Sequence, residues 1–141
     1  MATLQLKDLH THFGSVRAVD GVDMAVEDGE FLVLLGASGS GKSTLMRTIA
    51  GLERSTSGQV LIGGRDVAGL PPNARNIAMV FQSYALYPHK SVYRNISFPL
   101  EAVGTDRKTI REKVDWVTNL FGIAHLQDRK PRALSGGERQ R

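Results

Sequence analysis

The chain contains no cysteine, which excludes a disulfide framework and any thiolate-held metal. Long apolar runs are also missing. The longest stretch of large apolar residues is Phe31-Leu32-Val33-Leu34-Leu35, far short of the roughly 20 residues that a membrane-spanning helix needs. The first residues, Met1-Ala2-Thr3-Leu4-Gln5-Leu6-Lys7-Asp8, offer neither a basic leader nor an apolar core, so no export signal is visible. No internal repeat and no low-complexity linker interrupts the pattern. These absences predict a cytoplasmic location, with any membrane contact made through a partner. Aromatic residues are sparse where the cations gather. Nine of the 18 Lys and Arg lie between Arg107 and Arg141, interleaved with Glu112, Asp115, Asp128 and Glu138. That mixture reads as solvated helix faces, and no nucleic-acid partner is expected.

What is present fits one domain with a real core, because 141 residues suffice for one. Residues 4–9 and 22–26 alternate apolar and polar, as half-buried strands do, with a turn at 27–30. Residues 31–35 and 77–81 are apolar on both faces, which predicts central parallel strands covered on each side. Between them, residues 43–50 read as a helix ending at Gly51, and 55–58 as a turn before a short strand at 59–62. Pro71, Pro72 and Asn73 make a loop. From 108 to 121, Ile110, Val114, Val117 and Phe121 recur at three- and four-residue steps, predicting an amphipathic helix. Apolar strands alternating with helices predict an α/β fold, a mostly parallel core sheet with an N-terminal antiparallel β part.

Between strand and helix lies Gly36-Ala37-Ser38-Gly39-Ser40-Gly41-Lys42-Ser43-Thr44. Glycines let successive backbone N–H groups turn into one concavity, and the following helix aims its positive end there. Lys42 brings a full charge to β- and γ-phosphates, Ser43 a hydroxyl for Mg²⁺, and Thr44 a further donor. A bare glycine-rich turn would explain the glycines but not the Lys-Ser pair behind an apolar strand.

A second pattern closes the chain: Leu134-Ser135-Gly136-Gly137-Glu138. A capping box accounts for Ser135 and Glu138 without any ligand. It does not account for Gly136 and Gly137, which weaken a helix start unless something approaches the backbone closely. His10 and His12 share one face of a strand, but no third ligand is suggested nearby, so no metal site is expected there.

A phosphate loop alone leaves many functions open. With the second motif, the chain resembles the ATP-binding subunit of ABC transporters, in particular the carbohydrate-importer branch (maltose- and glycerol-phosphate-like), over essentially its whole length. The resemblance implies a P-loop NTPase fold divided into a β/P-loop core at 1–82 and a helical subdomain at 83–141. It further implies an N-terminal portion of the ATP-binding domain, ending at the signature and before the later core strands. ATP and Mg²⁺ are the implied cofactors. Phe13 beside Gly14 stands where the family stacks an aromatic on adenine, with Ala18 and Val19 near it. Gln82, at the end of the second apolar strand, would help hold Mg²⁺ or the attacking water. Ser135, Gly136 and Gly137 would contact the γ-phosphate held by a second subunit, in a head-to-tail homodimer or a pair with a related subunit. Tyr84, Leu86, Tyr87 and Pro88 would receive transmembrane permease subunits, which places the chain peripherally on the inner face of the membrane, with an external solute-binding protein acting indirectly. Ala37, Ser40, Lys90 and Glu138 depart mildly from the family pattern and blur the assignment of solute.

Lys42 and Gln82 are thus the candidate catalytic residues. The family's catalytic carboxylate and switch histidine would fall beyond Arg141, so this stretch is expected to bind ATP without turning it over. Lacking the later strand, residues 31–35 would show an open apolar flank. Two alternatives remain at this stage: a soluble ABC ATPase acting on nucleic acid or ribosomes, and a non-catalytic nucleotide-binding remnant.

Overall fold

The computed structural model describes residues 2–141, which form two compact units, one running to Met79 and the other spanning Val80–Arg141. Among the described residues no helix is long and apolar enough to cross a membrane.

The first unit is built on an antiparallel sheet in the order β2-β1-β3-β4, with β1 at Leu4–Phe13, β2 at Val16–Val26, β3 at Ser57–Ile62 and β4 at Arg65–Asp66. The alternation at 4–9 holds only as far as Leu6; the ladder is irregular between Leu6 and Leu9, with Asp8 at φ +44°, and this lets Leu9, three residues on, face the same core. Leu6 and Leu9 are buried and join Val19, Val60 and Val67, together with Leu45 from helix α1 (Lys42–Ile49). Each such side chain contributes about 1.5–3 kcal/mol by leaving water. A buried hydrogen bond, Thr11 Oγ1 to Thr48 Oγ1 at 3.0 Å, ties the sheet to the same helix.

Helix α1 begins after Gly41, whose φ of +87° no β-carbon would tolerate easily, and ends at Ala50 before Gly51 at φ +75°. Its C-terminal carbonyls are held by a residue from far along the chain. The buried Arg75 guanidinium donates to the carbonyl oxygens of Thr48 and Ile49 at 2.9 Å each, of Leu70 at 2.9 Å and of Ala68 at 3.0 Å. A cation there complements the negative end of the helix dipole. Burial pushes this guanidinium's pKa down, opposed by the nearby Asp66 carboxylate.

The P-loop NTPase fold stands, but the two segments read as central parallel strands lie outside any strand. Residues 31–35 and 77–81 have no ladder partner among the described residues, and the assigned sheet is wholly antiparallel. Phe31 and Leu35 are 90% and 88% exposed. Their apolarity states a demand for cover that a ladder among the described residues does not meet.

The second unit holds α2 (Val92–Ala102), α3 (Arg107–Leu120) and the short α4 (Gly136–Gln140). Ser91 and Asp106 cap α2 and α3 by accepting from the backbone N–H groups of Arg94 and Thr109. The predicted stripe of α3 is correct at Ile110 and Val114 but shifts at its end. Thr118 is fully buried, satisfied by donating to the Val114 carbonyl at 2.8 Å, whereas Phe121 is half exposed. Val92, Ile123, Leu126 and Leu134 form the remaining core, with Ile96 against it.

Candidate functional site

Residues 36–44 curl as the sequence predicts. Gly36, Gly39 and Gly41 all take positive φ. Glycine is needed at Gly41 for a second reason, because a β-carbon there would run into the carbonyl oxygen of Ala18 on β2. At Gly36 it would crowd Ser40 Oγ, at 2.7 Å. The loop is therefore pressed onto the hairpin strand, and its shape is fixed by close backbone approach.

The concavity beneath it is a cleft of about 430 Å³, lined by Val16, Arg17, Ala18 and residues 38–44. A neighbouring hollow of about 290 Å³ is walled by Leu34, Leu35 and Leu45 along with Ala18 and Val19. No side chain caps the start of α1, and the first backbone bond of its N-terminus is Leu45 N–H to the Gly41 carbonyl at 2.8 Å. The Ser43 and Thr44 amides thus face the cleft end of the helix with no backbone acceptor. Lys42 lies across the mouth. Its Nζ donates to the Gly36 and Ala37 carbonyls at 2.7 Å each and to Ser40 Oγ at 3.1 Å. These are neutral acceptors, and a phosphate oxygen makes a bond roughly twice as strong with an ammonium.

Those features fit an anionic, phosphate-bearing ligand: unclaimed amides, a helix N-terminus, Lys42 and Arg17 on one small cleft. Ser43 is exposed and stands where a hard cation accompanying the phosphates would find an oxygen ligand.

The other predicted residues are placed as follows. Phe13 ends β1, paired with Val16 across the hairpin turn, and is 49% exposed. It is not among the residues lining the cleft, whereas its neighbours Val16 and Arg17 are. Ala18 and Val19 do line the hollow beside the loop. Gln82 is exposed in a turn that continues through Tyr84 and Ala85, both left-handed at φ +62° and +49°. Tyr84 and Leu86 border an apolar groove of about 180 Å³ with Val80, Val92, Ile96 and Ile123. Tyr87 is exposed and does not line this groove, its ring lying 5.1 Å from that of Phe98. Pro88 is exposed in the loop that follows.

The capping box at the start of α4 is formed: Ser135 N–H donates to Glu138 Oε2 at 2.7 Å, and Glu138 N–H to Ser135 Oγ at 3.3 Å. The Ser135 backbone bond, followed by its hydroxyl, holds the Glu138 carboxyl below the usual range. A β-carbon added at Gly136 or Gly137 would meet nothing within 4 Å. This chain's own packing therefore does not ask for glycine at either position, and the exposed backbone is open to close approach.

Sequence reading missed two supports. Arg75 anchors α1 and so the loop in front of it. Asn95 holds residues 87–91: its Oδ1 accepts from Tyr87 N–H at 2.8 Å, while its Nδ2 donates to Ser91 at 2.9 Å and to Tyr87 and Lys90 at 3.2 Å each. An Asn early in a helix after a Pro-containing loop is a faint signal at best.

The glycine-curled loop on a helix N-terminus, with a lysine across it, defines a P-loop nucleotide-binding protein. Comparison narrows the class. The ABC transporter family profile matches residues 19–141, and the chain belongs to that family. It is 53% identical over 142 residues to the sn-glycerol-3-phosphate import ATP-binding protein of Rhizobium meliloti, covering all of this chain and 41% of that relative. It is 50% identical over 141 residues to the sulfoquinovosyl glycerol transport ATP-binding protein of Agrobacterium fabrum, covering 39% of it. The maltose/maltodextrin import ATP-binding protein of Yersinia pestis is likewise 50% identical, 38% of it being covered. The chain thus spans well under half the length of these relatives. Among solved structures, an ATP-binding cassette in a dimeric post-hydrolysis state bound to ADP and Pi superposes with a TM-score of 0.85 at 27% identity, over 97% of this chain and 65% of that one. A second cassette of an ABC transporter gives 0.82, also at 27% identity, over 99% of this chain and 62% of that one.

Proposed function

We propose that this chain is the nucleotide-gripping part of an ATPase that energises import of a carbohydrate-like solute. The observation that carries the reading is the cleft at 38–44, where unclaimed first-turn amides and the Lys42 ammonium converge on one space of about 430 Å³. The roughly 50% identity to importers of glycerol phosphate, sulfoquinovosyl glycerol and maltodextrin supports the solute class.

In this reading the amides of 39–44 bind the phosphates, Lys42 neutralises the β- and γ-oxygens, and the Ser43 hydroxyl holds Mg²⁺, whose contribution is further charge neutralisation. Gln82 completes the Mg²⁺ or water contacts, and Phe13 packs on the adenine. Ser135, Gly136 and Gly137 close on the γ-phosphate of a second subunit, the open backbone at both glycines leaving room for it. Two such subunits sandwich two nucleotides in a twofold arrangement. Tyr84, Leu86, Tyr87 and Pro88 present the apolar surface that a permease subunit covers at the inner face of the membrane. The 141-residue chain binds ATP without appreciable turnover.

Equilibrium binding of a fluorescent ATP analogue with Mg²⁺, followed by phosphate release, tests this. The expected result is saturable binding that Lys42→Ala abolishes, with no release above background. Absence of binding by a folded chain overturns the nucleotide reading. Release that disappears in Lys42→Ala overturns the claim of no turnover. Recovery of the chain with nucleic acid instead of a polytopic membrane protein overturns the transport reading.

A further inference from the structure

The β1–β2 hairpin carries a side-chain cluster that the nucleotide reading leaves unused. Sequence spacing puts His10 and His12 on one face and offers no third ligand; the structure supplies one. One donor atom each from His10, His12 and Asp20 lies within 4.8 Å of the others. Asp20 arrives there because the ladder is irregular. Leu9 pairs with Val22 and Thr11 with Val19, so His10 alone faces both Asp20 and Gly21. Such a bulge re-aims a side chain, and Gly21 at φ +66° permits it.

The two distances from Asp20 match a shared ion, and the His10–His12 separation is at most 4.8 Å. Asp20 Oδ1 is 2.9 Å from His10 Nδ1 and 3.4 Å from His12 Nε2. Two ligand atoms each about 2.1 Å from one metal lie about 3.0–3.4 Å apart. The far nitrogen of His10 is already engaged, with Nε2 2.9 Å from Asp8 Oδ1. A carboxylate behind a ligating imidazole fixes its ring and tautomer. Asp8 is itself positioned, its N–H donating to Asp23 Oδ1 at 3.0 Å. Arg17 takes only the other oxygen of Asp20, Oδ2, at 3.3 Å.

A proton is the competing explanation. An imidazolium at His10 would satisfy the short contact to Asp20 but would leave the Gly21 N–H, which donates to the same nitrogen at 3.1 Å, without its acceptor; a metal there would displace that bond in turn. The imidazolium also leaves the buried His12 Nε2 with only the long 3.4 Å contact to Asp20 Oδ1, which lacks hydrogen-bond geometry. One cation at the centre serves all three groups. We propose that His10, His12 and Asp20 bind a single divalent transition-metal ion of the zinc class, with Asp8 as the positioning residue behind His10. Imidazole with carboxylate selects such ions over Mg²⁺ or Ca²⁺. The ion would pin the hairpin at its bulge, between the sheet core and the turn that carries Phe13.

The test is calorimetric titration of the chelator-stripped chain with Zn²⁺, without nucleotide, alongside NMR of the histidine rings. The expected result is one equivalent bound, with the His10 and His12 rings shifting together while His89 and His125 do not. His12→Gln and Asp20→Asn should each lose the one-to-one site, and Asp8→Asn should weaken it about 10–100-fold. A double His89→Gln, His125→Gln variant should bind as the parent does. If Zn²⁺ at millimolar concentration leaves both rings unmoved, or if His12→Gln binds undiminished, the proposal fails and the cluster is an imidazolium held by carboxylates. Should a variant not fold, the ring shifts of the parent chain decide alone.

Discussion

Arg75 is the residue whose loss the structure prices most clearly. Its guanidinium is buried and donates to four carbonyls, two at the C-terminus of α1 and two in the segment after β4. Arg75→Ala strips all four acceptors at once. At about 1 kcal/mol net per bond, the expected destabilisation is about 4 kcal/mol, a large share of the roughly 5–15 kcal/mol that holds a domain folded. Arg75→Lys should recover only part of this, since an ammonium lacks the planar fork that reaches both sides. Gly51 sharpens the test. A β-carbon there would lie 2.5 Å from Arg75 Nε, on a backbone at φ +75°. Gly51→Ala therefore carries two costs, a left-handed alanine of about 1–2 kcal/mol and a collision with the guanidinium. In the Arg75→Ala background the collision vanishes and only the backbone cost remains. Urea unfolding of the four chains of this cycle should give a double variant less destabilised than the sum of the singles, by about 1–3 kcal/mol. With a slope of about 2 kcal/mol per molar urea, Arg75→Ala alone should lower the midpoint by about 2 M. Additive single costs would refute the contact. A midpoint for Arg75→Ala within about 0.3 M of the parent would refute the anchoring role itself.

Three further outcomes are expected. Gly137→Ala meets no atom and sits in the first turn of α4, so it should leave the melting temperature unchanged or raise stability by up to about 1 kcal/mol while abolishing nucleotide-dependent dimers in sedimentation; a marked fall in melting temperature would show the glycine to be structural. The capping box should be acid-sensitive. Because Glu138 is held below its usual pKa, its contribution is complete above the unfolded value of about 4.3 and is lost as pH falls through the folded one. The Ser135 amide should then exchange faster on acidification, and Glu138→Gln should flatten that profile; an unchanged profile in Glu138→Gln would assign it elsewhere. Asn95→Ala removes the bonds that order residues 87–91 and should cost about 1–3 kcal/mol locally, read as faster exchange of the Tyr87 amide. Equal protection in parent and variant would show that the loop is held instead by the edge-to-face contact of Tyr87 with Phe98.

What could be read in advance was chemistry contained in a short window. Residues 36–44 and 135–138 each carry their own geometry, so glycine placement, the lysine and the capping pair predict the local structure directly. Helices α1 and α3 were legible for the same reason, apart from the last turn of α3, where Thr118 takes the buried place by returning its hydroxyl to the Val114 carbonyl. Periodicity counts Thr as polar and does not see that bond. Illegible features were those made by register. Asp20 meets His10 only because a bulge sets two residues against one, and Arg75 finds carbonyls at 48, 49, 68 and 70 through a tertiary turn that no spacing encodes.

Residues 31–35 and 77–81 mark the boundary between the two kinds of inference. Their composition specifies burial on both faces, yet Phe31, Leu35 and Val80 are each close to fully exposed, and no strand among the described residues pairs with either segment. An apolar sequence fixes how much cover a segment requires and leaves open which surface provides it. A strand ladder adds hydrogen bonds only when a neighbour of matching direction lies beside it, so apolarity without a neighbour yields an unpaired edge rather than a sheet. The phosphate cleft escapes that dependence. Its walls are the loop's own amides, the start of α1 and the β2 backbone pressed against Gly41, and all of these fall within the first unit. The cleft at 38–44 is accordingly the most completely built feature of this unit, and its own lining includes neither apolar segment.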